Sequence, residues 1–362
     1  MKENQQILRP HVEDAYAEEL EVLSKLDDRP KPSNWKLSPW AVVSYLMGGK
    51  LSNGFEIEAK YIGNKRLMEI AVATLVSDRA LLLVGIPGTA KTWVSEHLAA
   101  AISGDSKRLV QGTAGMSEDA LRYGWNYARL IAEGPSEKAL VPSPVLGAMK
   151  EGKIARVEEL TRIPSDVQDS LITLLSEKTL PIPELNTEIQ AEKGFNIIAT
   201  ANDRDKGVHD LSSALRRRFN TVVMPLPASL EEEVRIVKTR VEKIGKSLEL
   251  PEEAVPVKEI QRLVTIFREL RDGKTVDGKT RLKSPSSTLS TAEAISVIQS
   301  GQALATHFGA GKLKAEDLAA GINGAVIKDP VQDKKVWQEY LEMVVKGRKD
   351  WKDLYDSCKE IV

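Results

Sequence analysis

The sequence predicts an α/β fold, a parallel sheet sandwiched between helices, followed by an all-helical domain. Three observations carry this. A buried apolar run, Ala80-Leu-Leu-Leu-Val84, feeds directly into a glycine-containing loop and a helix. After that loop, short apolar strands at 80–84, 108–111, 153–157, 194–200 and 221–224 alternate with helical patterns, the signature of strand-helix-strand units. Beyond Pro225 the strand signals fade, and 230–244, 258–271, 290–305 and 314–327 carry helical periodicity between Gly- or Pro-containing breaks.

Before the sheet, Val12, Tyr16, Leu20 and Leu23 share one helical face, so 12–26 is expected as an acidic amphipathic helix closed by Pro30 and Pro32. Ser38-Pro39 supplies an N-cap with proline at the first helical position, opening a second helix that Gly48-Gly49 ends. The organisation is then an N-terminal helical extension at 1–50, an α/β core at 51–225, a helical lid at 226–329 and a helical tail at 330–362. In that tail, Trp337, Tyr340, Trp351 and Tyr355 lie among lysines and read as the docking face of terminal helices rather than as a base-stacking surface.

Composition narrows the function. With 51 basic against 52 acidic residues, the chain has no overall field to hold a polyanion by counterion release, which disfavours nucleic acid as main partner. The amino terminus has no apolar core of a signal peptide, and no stretch approaches the ~18 apolar residues of a membrane span, so a cytoplasmic protein is expected. One cysteine, Cys358, excludes an intramolecular disulfide, and the 4 histidines lack metal-ligand spacing.

The chemistry centres on Gly85-Ile-Pro-Gly-Thr-Ala-Lys-Thr92. Glycines here let successive backbone N–H groups turn inward as an anion nest, while the next helix aims its positive end at the same spot. Lys91 supplies a point charge for the β- and γ-phosphates, and the Thr92 hydroxyl a ligand for Mg²⁺. Ala90 stands where a glycine is usual. Gly85, Pro87, Gly88, Thr89, Ala90, Lys91, Thr92 and Trp93 form the expected nucleotide-binding set.

A phosphate site needs an acidic strand end beside it, and Ile154-Ala-Arg-Val-Glu158-Glu159 provides one. Read alone, two glutamates at a strand end are a solvated pair. Next to the loop they divide the work, Glu158 orienting Mg²⁺ through water and Glu159 positioning the attacking water. Glu158 is one methylene longer than the more usual aspartate, and Arg156 is unusually polar for such a strand. Downstream, Asn202 ends the apolar run from Phe195 and offers a neutral amide for the γ-phosphate and the lytic water. In Leu211-Ser-Ser-Ala-Leu-Arg-Arg-Arg-Phe219, an arginine presented to a neighbouring subunit's γ-phosphate fits better than a nucleic-acid patch.

Together these motifs resemble AAA+ ATPases, and within them the MoxR family. The loop has that family's frequent Ala before Lys, and Glu158-Glu159-Leu-Thr-Arg-Ile-Pro-Ser-Asp-Val-Gln168 is similar to its Asp-Glu-Ile-Asn-Arg-Ala-Pro-x-x-x-Gln run. The resemblance implies that Glu158 and Glu159 are the Walker B pair, Asn202 is sensor 1, and Arg218, with Arg217 as the alternative, is a finger acting in trans. It also implies that Tyr61 and Ile62 contact the adenine side, that 116–138 is placed like the family's helix-2 insertion and 180–193 like its hairpin before sensor 1, and that both face the pore or substrate. The family's lid arginine in a Ser-Pro-Arg context is replaced by Lys283-Ser-Pro-Ser-Ser287, so no lid residue is assigned to the site, with Arg281 and Lys283 left as the two that could reach the phosphate from a shifted position. The implied function is a Mg²⁺-dependent ATP hydrolase assembling as a ring, a hexamer, that remodels or activates a protein partner alongside a protein with a von Willebrand A domain. Docking surfaces are expected on 12–26 and 116–138. The alternatives are a DNA-directed motor, whose basic pore loop is not matched by the mixed charges of 116–138, and a nucleotide-gated scaffold with little hydrolysis.

Overall fold

The apolar run ahead of the glycine loop forms β1, Ala80–Gly85, flanked on both sides by parallel neighbours. The other strands are β2 (Leu109–Gln111), β3 (Ile154–Glu158), β4 (Asn196–Asn202) and β5 (Phe219–Val223), in the order β5-β1-β4-β3-β2. All pairings are parallel. Such a sheet is covered on both faces, which is why β1 is continuously apolar instead of alternating. In this computed structural model, residues 7–77, 79–202, 209–248, 250 and 255–361 are described. The chain divides into two units, residues 1–86 with 90–224 and residues 87–89 with 225–362.

In the first unit, β4 runs two residues later than expected and so includes Asn202, while β5 begins at Phe219 rather than 221. The expected helix over 12–26 is broken: a turn at Val12–Ala15 is followed by α1, Ala17–Leu26. Tyr16 sits at the break, with φ −122° and ψ 26°, and packs its ring edge-on to Tyr45 and His97. The helix α2, Pro39–Met47, starts as anticipated, its cap Ser38 accepting from the Ala41 amide. Asn64 caps α3, Lys65–Val76, in the same manner. Val12, Tyr16, Leu23, Trp35 and Tyr45 share one core with α3, with α4 (Lys91–Ser103) and with one face of the sheet. From Val12 onward the segment expected as a separate extension therefore packs into the core of the α/β unit. Residues 116–138 carry a strand at Tyr123–Trp125 and a helix at Tyr127–Glu133, and the strands Thr179–Ile182 and Thr187–Gln190 form the expected hairpin.

The second unit is helical: α5 (Leu230–Ser247), α6 (Val257–Asp272), α7 (Thr291–His307), α8 (Ala315–Val326), α9 (Gln332–Tyr340) and α10 (Lys352–Ile361). Trp337 is fully buried and donates its indole N–H to Asn323 of α8 at 2.6 Å, while the Tyr340 hydroxyl donates to Glu269 of α6 at 2.6 Å. The residues 330–362, expected as a tail, thus belong to the same core as the lid helices. The aromatic spacing is that of docked helices, as anticipated.

Candidate functional site

The loop after β1 reverses through Gly88 at φ 81° and Ala90 at φ 62° before α4 begins at Lys91. Ala90 is left-handed despite its Cβ, a conformation that costs an L-residue roughly 1–2 kcal/mol. It gives α4 no side-chain cap, in contrast to Ser38 and Asn64 on α2 and α3. A helix start without a capping side chain is where backbone amides and the helix dipole can face an anion. Lys91 is buried and its ammonium donates to the carbonyls of Gly85 at 2.8 Å and Ile86 at 2.9 Å, folding back over the loop.

Beside the loop, β3 delivers Glu158. Residues two apart on a strand share a face. Accordingly Ile154, Arg156 and Glu158 look onto α4, while Ala155 and Val157 enter the core on the other side of the sheet. Glu158 is 1% exposed and accepts at both oxygens. Oε2 takes the hydroxyls of Thr92 at 2.9 Å and Thr200 at 2.6 Å. Oε1 takes Arg156 Nη2 at 2.9 Å and the Ser95 hydroxyl.

Glu159 is the next residue, and it is left-handed at φ 54° and ψ 49°. Its amide donates to Thr200 Oγ1 at 3.0 Å, and its carboxylate pairs with Arg162 Nε at 2.5 Å. A non-glycine held in this region marks a position where the surroundings impose the backbone, a frequent property of reactive sites. Here the turn separates the two carboxylates, sending Glu158 into the protein and leaving Glu159 half-buried at the strand end. Asn202 stands opposite Gly85 in the register of β4 and β1, at the same edge of the sheet as the loop.

Tyr61 and Ile62 precede α3. Tyr61 is buried, its amide bonded to the Leu46 carbonyl at 2.9 Å, and Ile62 is half-buried. Trp93 ties this segment to α4 by donating its indole N–H to the Lys60 carbonyl at 2.8 Å. The structure therefore brings together Tyr61, Gly85, Lys91, Thr92, Trp93, Glu158, Glu159 and Asn202.

It does not bring Arg217 and Arg218 to them. The Arg218 carbonyl accepts from Ala80, at the far end of β1 from Gly85. Five strand steps of about 3.3 Å put the backbone of Arg218 roughly 17 Å from the loop. The Arg218 guanidinium donates to Ser176 Oγ and to the Ala214 carbonyl, both at 2.5 Å, whereas the Arg217 side chain is exposed.

Motif reading missed Ser95, Thr200 and Arg162, and noticed Arg156 without giving it a role. The signals were periodic ones. Ser95 is one helical turn beyond Thr92, Thr200 is two strand positions before Asn202, and Arg162 is one short turn after Glu159. Among the described residues, no group of three or more His, Cys, Asp or Glu side chains is arranged to hold a metal, so any cation here would rest on Thr92, Glu158, water and phosphate.

Comparison with known proteins adds to this geometry. The AAA domain of the dynein-related subfamily matches residues 80–219, and the C-terminal domain of YehL-like AAA+ ATPases matches 231–362. The uncharacterized protein YehL of Escherichia coli strain K12 is 38% identical over 361 residues, covering 98% of both chains. An uncharacterized Staphylococcus haemolyticus protein, SH1500, is 27% identical over 165 residues, 45% of this chain and 62% of its own. Among solved structures, NtrX from Brucella abortus gives a TM-score of 0.50 at 12% identity over 83% of this chain and 69% of its own, a likeness of fold alone.

Proposed function

Since this chain belongs to the YehL-like AAA+ ATPase family, we propose that it binds ATP with Mg²⁺ at residues 85–93 and hydrolyses it. The observation that supports this best is the Thr92 hydroxyl lying 2.9 Å from the Glu158 carboxylate, with the turn to Glu159 immediately beyond. The donor set fits the cofactor. Lys91 and the uncapped start of α4 would meet the phosphates, Thr92 would ligate Mg²⁺, and Glu158 would hold the metal's water. The metal, when bound, neutralises charge developing on the phosphoryl oxygens. Glu159 takes the proton from the attacking water, and Asn202 orients that water with a side chain that does not repel phosphate. Tyr61 and Ile62 line the base side.

We further propose a MoxR-type ring, hexameric and cytoplasmic, in which hydrolysis remodels or activates a protein partner associated with a von Willebrand A domain. The placement of Arg217 and Arg218 at the sheet edge away from their own loop supports action on a neighbouring subunit. Of the two docking surfaces expected, the acidic helix is engaged within its own unit: Glu13 accepts from Ser106 and Glu19 from Lys60. The segment 116–138 is the better one, with Tyr127 69% and Ile131 87% exposed on one helix face.

Variants separate these roles. Lys91→Ala is expected to abolish binding of a fluorescent ATP analogue, and Glu159→Gln to retain binding while losing about 10²-fold or more in turnover. Arg217→Ala and Arg218→Ala should each bind ATP, and the one carrying the finger should regain turnover when mixed with Glu159→Gln subunits. Full turnover by Glu159→Gln would remove the assigned base, and no recovery in either mixture would remove the shared site.

A further inference from the structure

Resting on the reading of Lys91, Thr92 and Glu158 as a Mg²⁺–nucleotide site, we propose that Arg156 is a positioning residue that fixes the Glu158 carboxylate and thereby sets how readily the site loads its metal.

The argument begins from an anomaly. A strand in a parallel sheet is buried on both faces and ordinarily apolar, yet Arg156 lies in the middle of β3 and is 3% exposed. Taking a guanidinium out of water is costly unless its donors are all met, so its retention points to a task.

Its donors are met by a defined set. Nε donates to the Ser95 hydroxyl at 3.1 Å, Nη1 to the Ser106 carbonyl at 3.1 Å, and Nη2 to Glu158 Oε1 at 2.9 Å with a longer approach to the Thr92 carbonyl at 3.4 Å. Two of these acceptors lie on α4, the helix that carries Thr92, and a third is Glu158 itself. The guanidinium is thus a rigid planar clamp between the phosphate-loop helix and the acidic strand.

The two oxygens of Glu158 have separate surroundings as a result. Oε1 is held by Arg156 and Ser95. Oε2 is left toward Thr92 and Thr200. A glutamate has one more rotatable bond than an aspartate, and an unanchored one at this position would spread over several rotamers. Anchoring Oε1 removes that freedom and leaves Oε2 aimed at the Thr92 hydroxyl. Arg156 is therefore the counterpart of having glutamate at 158, and the two residues are expected to behave as one device. Arg156 itself touches neither nucleotide nor metal.

The test follows Mg²⁺ dependence of nucleotide binding, not turnover alone. Full-length wild type, Arg156→Lys, Arg156→Met, Glu158→Gln and the double variant Arg156→Met/Glu158→Gln would be titrated with Mg²⁺ in the presence of a fluorescent ATP analogue, with melting curves recorded alongside. Both Arg156 variants are expected to bind the analogue without metal as wild type does, and to need about 10–100-fold more Mg²⁺ for the metal-dependent change. The double variant should be no worse than the poorer single one, because members of a coupled pair do not add. Should Arg156→Met fail to fold, Arg156→Lys decides, since it keeps the charge and loses the planar fork. A folded Arg156 variant with an unmoved Mg²⁺ midpoint overturns the proposal, as does a double variant whose losses multiply. Wild type that binds no nucleotide at any Mg²⁺ concentration overturns the site reading itself; wild type that binds, with unmoved variants, overturns only the role of Arg156.

Discussion

Gly112 follows β2 and donates its amide to the Glu158 carbonyl at 2.8 Å. A Cβ added there would stand 2.4 Å from the Glu159 carbonyl oxygen and 2.9 Å from that of Glu158. Both are main-chain atoms of the strained turn, so the turn itself has to yield. Gly112→Ala is expected to lower stability by about 1–3 kcal/mol, the usual cost of overpacking, and to reduce turnover by displacing Glu159. Urea denaturation and steady-state ATPase assays check both halves; a variant with an unchanged midpoint and unchanged turnover would show that the turn tolerates a different path. At this scale the sequence was legible where chemistry is concentrated in a motif and opaque where it depends on partners. Glu158 and Lys91 announce themselves beside the glycine loop. Thr200 and Ser95 do not, because a single hydroxyl in a strand or helix is ordinary until the fold shows which carboxylate it meets.

Among elements, the strands were legible because a buried parallel strand is an apolar run, and their ends shifted by only a few residues. The break at Tyr16 was not, since acidic and apolar residues keep helical spacing straight through it. Its reason lies in the partners. Arg9 pairs with Glu96 of α4 at 2.7 Å, Glu13 accepts the Ser106 hydroxyl at 2.7 Å, and Glu19 accepts the ammonium of Lys60 at 2.6 Å. That ammonium is fully enclosed, lying 4.2 Å from the Tyr16 ring centre and 5.0 Å from that of Tyr45, and it also donates to the Glu58 carbonyl. The N-terminal segment is thus strapped over α4 and the residues leading to Tyr61. Glu19→Gln is expected to cost about 3 kcal/mol, the lower end for unpairing a buried charge, because the carbonyl and the rings remain to Lys60. The measurement is the urea midpoint without nucleotide, and an unchanged value would mean that the rings and carbonyl suffice.

Across the whole molecule, polar caps join segments far apart in sequence. Asp333 is fully buried and accepts from the Ser286 amide and hydroxyl, both at 2.7 Å, and from the amides of Lys328 at 3.0 Å and Asp329 at 2.8 Å. Burial pushes its carboxyl upward, but the hydrogen bonds from Asp329, Ser286 and Lys328 outweigh this and hold it below the ordinary 3.8. A carboxyl depressed in the folded state contributes stability that is complete above its unfolded value and disappears as pH falls through the folded one. The stability gap between wild type and Asp333→Asn is therefore expected to be full at about pH 7 and to shrink below about pH 4. Urea titrations read by tryptophan fluorescence test this, and a gap as wide at about pH 3 as at neutrality would refute it.

The sequence holds 1 cysteine, Cys358, which is fully buried in the second unit, and burial pushes its thiol up to about 12. Only the thiolate reacts readily with alkylating reagents, and it is scarce here near neutral pH. A dye or spin label can consequently be installed at a single new surface cysteine while the native one stays in place and silent. Any association between labelled copies of the chain then becomes measurable without first rebuilding the core.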